Sequence, residues 1–157
     1  MDSGKKNNYL KSVEEFQKTF KAPVLDTPQL AQVSRAKLRI DLIQEELNEL
    51  RDAIINEDLV EVADALCDLQ YVLSGAVLEF GMKDIFDDMF DEVHRSNMSK
   101  ACTSQAEAND TIYNYEDKGV STYKENVNGK WVVFRRDDHK VLKSIKYSPA
   151  DLKKWIK

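Results

Sequence analysis

Residues 59–80 read LVEVADALCDLQYVLSGAVLEF, and this stretch decides the fold. Its large apolar residues, Leu59, Val62, Leu66, Leu69, Leu73 and Val77, recur at three- and four-residue intervals, the period of an α-helix. Apolar side chains cover most of its circumference, so the helix is expected to be largely buried. Yet Glu61, Asp64 and Asp68 fall within an arc of about 60° at helical pitch. No Lys or Arg occurs from Asp58 to Phe80. An exposed face ordinarily mixes both signs, because like charges four residues apart destabilise a helix. An acidic stripe without basic partners, on an otherwise apolar helix, calls for a cation.

The preceding helix carries a matching set. Asp26-Thr27-Pro28 reads as a helix start, with Thr27 as N-cap and Pro28 at the first helical position, and the helix runs to about Ile55. Glu45, Glu46 and Glu49 share one side of it, continuing an apolar stripe of Leu38 and Leu42. Taken alone, this run reads more readily as a solvated face; the third helix tips the reading toward metal. Carboxylates three residues apart on two facing helices, Glu46 with Glu49 and Glu61 with Asp64, suit a hard divalent ion that also keeps water and phosphate oxygens. Mg²⁺ is the expected ion, with Mn²⁺ as a substitute. Glu45, beside the ligands, is placed to take a proton from water. A di-iron bundle would need Glu-x-x-His from each of two helices, and the near match Asp91-Glu92-Val93-His94 occurs once.

Outward from these two helices, Leu10, Val13, Phe16 and Phe20 predict a first helix over 9–20. Asn56 or Asp58 caps the third helix and Gly81 stops it. A fourth helix is expected over 84–96. Short connections between long helices favour antiparallel packing. After Lys100 the composition changes. Residues 102–110 read as a loop, Asn128-Gly129 as a hairpin turn before Trp131 to Phe134, and Asp137-Asp138 as a second turn before residues 141–145. A helical turn is expected from Pro149. The expected fold is an all-α antiparallel bundle with a small C-terminal β-hairpin. It is read as a single domain over 1–157, with a helical core over about 9–100 and a loop and hairpin appendage over about 101–157.

The bulk numbers narrow the function. The 157 residues carry a net charge of −5, and no basic patch marks a general nucleic-acid binder. No run of about 18 apolar residues predicts a membrane span. Residues 1–9 lack the apolar core of a signal peptide. Cys67 and Cys102 sit outside any metal-ligand spacing, which fits a reduced, cytoplasmic protein, with Cys67 as a small core residue. Arg95, Asn97 and Lys100 cluster past the end of the fourth helix, where cations and an amide suit phosphate or a base edge. For Arg95 the alternative is that it complements the helix C-terminus. Gln17 is a candidate base-edge contact between Phe16 and Phe20, which are expected in the core, as Trp131 and Trp155 are in the appendage or an interface. The long apolar third helix, with Gly75 and Ala76 allowing close approach, is expected to bury more than one chain covers, so a homodimer or higher homo-oligomer follows.

Glu45-Glu46-x-x-Glu49 followed by Glu61-x-x-Asp64 resembles the signature of the all-α NTP pyrophosphatases, which include MazG-like enzymes, dimeric dUTPases and phosphoribosyl-ATP pyrophosphohydrolases. Residues 91–100 (DEVHRSNMSK), and the closing residues 140–143 and 147–152, also resemble the MazG-like or phosphoribosyl-ATP pyrophosphohydrolase-like branch. The resemblance runs from about Val13 to Leu152. It implies that Glu46, Glu49, Glu61 and Asp64 hold the metal and Glu45 positions or activates water. Arg95, Asn97, Lys100, Gln17 and Asp68 are the candidates for the substrate side. The implied reaction splits a nucleoside triphosphate between the α and β phosphates, giving a monophosphate and pyrophosphate, in nucleotide-pool house-cleaning. The alternatives are a non-catalytic helical interaction module of the same fold and an enzyme acting on phosphoribosyl-ATP. Two departures stand out. Only eleven residues separate Glu49 from Glu61, and the stretch 101–138 is longer than a simple connector.

Overall fold

A computed structural model describes residues 9–156. The expectation about the leader at residues 1–8 lies outside the described residues. Among the described residues five helices precede one hairpin: α1 (Tyr9–Thr19), α2 (Val33–Ile55), α3 (Leu59–Glu79), α4 (Phe86–Met98), α5 (Gln105–Glu116), β1 (Thr122–Val127) and β2 (Lys130–Arg135). The mostly helical chain with a two-stranded antiparallel appendage is the fold class that the periodicity predicts. The chain divides into two compact units, residues 1–86 and 87–157.

In the first unit α3 packs against both α1 and α2. A three-residue break joins α2 to α3, so the two run antiparallel. Asn56 closes α2, Glu57 takes a left-handed φ of 55°, and Asp58 caps α3 by accepting from the N–H groups of Val60 and Glu61. The other end of α3 closes on Gly81. Its N–H donates to the Leu78 carbonyl and that of Met82 to the Val77 carbonyl, a Schellman cap with Gly81 at φ 72°.

That cap explains why α2 starts late. The expected start at Thr27 and Pro28 is incorrect; the helix begins at Val33, after Gln32, which makes no side-chain cap. Residues 22–32 instead lie along the end of α3. The N–H of Leu25 donates to the Leu78 carbonyl, and that of Gln29 to the Phe80 carbonyl. A helix end leaves its last carbonyls unsatisfied, and this segment supplies partners for them at the cost of its own helix. A Cβ on Gly81 would sit 1.9 Å from the Thr27 carbonyl oxygen. Gly81→Ala therefore combines left-handed strain with a backbone clash, and thermal melts should show a loss of at least about 2 kcal/mol. A loss of only a few tenths would mean that the 22–32 segment does not hold this position.

Several expected burials fail in the first unit. Cys67 is exposed rather than in the core, and it lines an apolar cleft with Val13, Leu66 and Tyr71. Phe16 and Phe20 are also exposed; their rings lie against one another at 4.5 Å, and Phe16 meets the edge of Tyr71 at 5.5 Å. Leu59, Val60, Leu66 and Leu73 on α3 are all more exposed than a buried helix allows. The apolar periodicity of residues 59–80 is real, but one chain covers only part of it.

In the second unit the expected loop over 102–110 is instead the start of α5. Ser104 caps it, accepting from the Glu107 N–H, while Glu107 accepts from the N–H and hydroxyl of Thr103. This Ser-x-x-Glu spacing is a helix start signal that the small polar composition concealed. The hairpin forms as expected: Thr122 pairs with Arg135 and Val127 with Lys130, around Asn128 and Gly129 at φ 50° and 82°, the geometry of a type I′ turn. Its inner face joins Cys102, Ala108, Val133 and Leu142 in a small core, with Trp131 against it. Past the turn at residues 136–138, Val141 makes only a single bridge to Phe134, and residues 153–155 form a turn. The fourth helix lies two residues later than expected.

Candidate metal and phosphate site

The antiparallel α2–α3 pair has a register that its contacts define. Arg35 meets Glu79, its Nε donating to Oε1 at 2.5 Å and its Nη2 to Oε2 at 3.0 Å. Arg39 Nε donates to Glu79 Oε2 at 2.5 Å, and its Nη2 to Gln17 Oε1 at 3.1 Å. Arg39 also lies against Gly75, where a Cβ would stand 2.7 Å from Arg39 Nη1. Counting on from these pairs, each residue gained on α2 is one lost on α3, which sets Glu46 opposite Asp68 and Glu49 beside Asp64 and Ala65.

The acids respond accordingly. The Oε2 atom of Glu46 is buried without a hydrogen-bond partner, alone in this among the side-chain polar atoms of the described residues. Burial, then the charges of Glu49, Asp68, Glu45 and Asp64, push the Glu46 carboxyl above its ordinary value. Four carboxylates from two helices thus bear on one buried oxygen. Toward the α2–α3 turn, a cleft of about 280 Å³ is lined by Glu49, Asp52, Asn56, Asp58, Glu61 and Asp64. Three of the four expected metal ligands line this cleft, and the fourth, Glu46, stands one turn further along α2. Glu45 is exposed beside it.

Asp52 joins the cleft without being among the expected ligands. It extends the three-residue spacing of Glu46 and Glu49 by one further step, and that continuation is the signal in the sequence that marks it. Asp58 also lines the cleft, but its carboxylate is engaged in capping α3.

A cation fits these residues. Like charges held near a buried, unpartnered carboxylate oxygen are unfavourable unless something positive joins them. Oxygen donors alone, on two rigid helices, are what Mg²⁺ takes. Among the described residues no three Asp, Glu, His or Cys side chains meet as a ready-made cage. Mg²⁺ does not require one, since it retains waters and takes substrate phosphates.

Several candidates for the substrate side are engaged within their own units. Gln17 is buried with both amide functions engaged, Oε1 by Arg39 and Nε2 donating to the Pro23 carbonyl at 2.5 Å. Lys83 is held by Glu14 at 3.2 Å and Asp26 at 3.4 Å. In the second unit Arg95 forks onto Glu92 at 2.8 and 2.9 Å and reaches the carbonyl of Pro149 at 3.2 Å. Arg95 and the Asp151 N–H together hold the Glu92 carboxyl down to about 2. Lys100 donates to Asn97 Oδ1 at 2.8 Å. Trp131 packs the small core, and Lys154 lies over the Trp155 ring at 3.9 Å. His139 pairs with the Tyr123 hydroxyl at 2.8 Å.

The acid-lined cleft between α2 and α3 falls within residues 13–97. Residues 13–97, which hold most of α1, all of α2 and α3 and most of α4, match the phosphoribosyl-ATP pyrophosphohydrolase family, and the chain belongs to that family. It is also similar to an uncharacterized protein of Acanthamoeba polyphaga mimivirus, 39% identical over 64 residues. That match covers 37% of this chain and 26% of the viral protein, so it spans about a quarter of the relative's length.

Proposed function

We propose that the chain is a Mg²⁺-dependent nucleoside triphosphate pyrophosphohydrolase that cleaves between the α and β phosphates. The observation that carries this is the unpartnered Glu46 oxygen beside a cleft of carboxylates. Glu46, Glu49, Glu61 and Asp64 would hold the metal, with Mn²⁺ able to replace Mg²⁺. A bound divalent ion makes water a better nucleophile and offsets charge on the phosphates. Glu45, exposed next to Glu46, takes the proton that the attacking water releases. The water oxygen forms the new bond to phosphorus as the α–β bridge breaks, leaving a monophosphate and pyrophosphate. Asp68 borders the same acids. Arg95, Asn97 and Lys100 remain candidates for substrate contact, with Arg95 engaged by Glu92.

The apolar residues left exposed on α3, Leu59 at 80% and Val60 at 76% among them, support a second copy of the chain as a partner, as a homodimer or higher assembly. Both cysteines are free, and no described helix is long and apolar enough to cross a membrane. A cytoplasmic role in clearing unwanted nucleotides accords with both facts.

The family match favours a second reading, hydrolysis of phosphoribosyl-ATP. A panel of ribo- and deoxyribonucleoside triphosphates with phosphoribosyl-ATP, assayed in Mg²⁺, separates the two. We expect kcat/KM to be highest for a nucleoside triphosphate. Preference for phosphoribosyl-ATP would support the second reading, and no turnover on any of them would favour a non-catalytic module.

A further inference from the structure

The proposed metal site does not use the group formed by Arg35, Arg39, Glu79 and Gln17. Arg39, Glu79 and Gln17 are each less than a tenth exposed. Two guanidinium groups share one carboxylate, and Gln17 ties Arg39 to α1 while its other end reaches the Pro23 carbonyl. Three helices therefore meet at one point through directional bonds. Apolar packing alone tolerates a helix sliding along its neighbour, whereas forked bonds from Arg to carboxylate fix both position and rotation. Gly75 leaves the room for this, since a Cβ there would lie 2.7 Å from Arg39 Nη1 and 2.8 Å from Gln17 Oε1.

Glu46 follows Arg39 by seven residues on α2, about two helical turns or 10 Å along the same rigid rod. Asp68 precedes Gly75 by the same number on α3. Any slip of α2 at Arg39 is transmitted undiminished to Glu46 and Glu49, and a rotation turns their carboxylates away from α3. The acids, which repel one another, cannot hold this register themselves. The attractive contact lies two turns away.

We propose that Arg35, Arg39 and Glu79 form a register clamp, a set of positioning residues that keeps Glu46 and Glu49 opposed to Glu61 and Asp64 so that a divalent cation can be held between the helices. The clamp rests on the proposed metal site.

The test is Mn²⁺ binding to the full chain, measured by calorimetry, alongside thermal melts without metal. Arg39→Met keeps the volume and removes the bonds to Glu79 and Gln17, while Arg39→Lys keeps the charge but not the two-point geometry. Gly75→Ala keeps every clamp residue and crowds the hydrogen-bonded ends of Arg39 and Gln17. Arg39→Met should weaken Mn²⁺ binding about tenfold or more, as loss of a supporting shell does. Gly75→Ala should weaken it less, in the same direction, even where its melting temperature is unchanged. Arg39→Lys should bind between wild type and Arg39→Met. Should Arg39→Met not fold, Gly75→Ala and Arg39→Lys carry the comparison. Wild-type affinity in folded Arg39→Met or Gly75→Ala, whatever the change in melting, would overturn the clamp and leave the metal reading intact. Absence of Mn²⁺ binding by wild type would overturn the metal reading and the clamp with it.

Discussion

Glu46→Gln should make the metal-free protein more stable and at the same time remove its Mg²⁺-dependent turnover. The Glu46 oxygen is buried without a partner, and the charges of four other carboxylates bear on it. Replacing the anion by an amide removes that repulsion and lowers the desolvation cost, a gain of about 1 kcal/mol. In a chain of this size that raises the melting temperature by about 2–4 °C. The same substitution removes one negative donor from the proposed metal site, where several kcal/mol of charge stabilisation are at stake, so kcat/KM should fall about a hundredfold or more. The pH dependence has a definite sign. The Glu46 carboxyl is raised in the folded state, so the folded protein binds this proton more readily than the unfolded chain. The penalty of the anion is present at neutral pH and fades as pH falls through the raised value toward the ordinary 4.5. The stability advantage of Glu46→Gln should therefore shrink on acidification. Melts of both proteins with metal removed, from pH 7 to 4, check this. A variant less stable than wild type at pH 7 would mean that Glu46 makes a favourable contact instead.

Glu79→Gln should cost the fold more stability than Gly81→Ala does. It leaves the nearly buried Arg39, with Arg35 beside it, without an anion, and breaking a buried pair from one side costs about 3–5 kcal/mol. Burial raises the Glu79 carboxyl, but hydrogen bonds from Arg35 and Arg39 outweigh it and lower it overall. The stability it lends is present above its unfolded value of 4.5 and is lost as pH falls through the lowered folded value. Urea titration at pH 7 should show a much lower midpoint for Glu79→Gln, with the difference from wild type narrowing in strong acid. A shift of less than about 1 kcal/mol would place this group with ordinary surface pairs.

Period and spacing carry much of the fold. Residues 59–80 show a helix with an acidic stripe, and they form one; Asp58 and Gly81 end it as their chemistry requires. The Asn128-Gly129 turn is equally direct, because few residues accept two left-handed φ values in succession. Where local signals mislead, a tertiary contact overrides them. Thr27 and Pro28 have the chemistry of a helix start, but the carbonyls at the end of α3 recruit that segment instead. The helix start at Ser104 is hidden by a composition that suits a loop equally well.

The candidate site is legible for a different reason. Glu49, Glu61 and Asp64 come to one cleft because the two helices are antiparallel and closely connected, and spacing alone implies that. Arg35, Arg39 and Glu79 are illegible because nothing local distinguishes a buried charge from a solvated one. Only the register shows that the three meet. Gln17 reads as a base-edge contact from its aromatic neighbours, yet its amide serves Arg39 and Pro23.

On the proposed function, the acidic pair of helices directs cleavage between the α and β phosphates with a divalent ion. ³¹P spectra of a nucleoside triphosphate, followed through its first turnover by the wild-type chain with Mg²⁺ and again with chelator, test it most directly. We expect monophosphate and pyrophosphate to appear together in Mg²⁺, and neither to appear with chelator. Orthophosphate as the first product, or turnover unaffected by chelator, would contradict it.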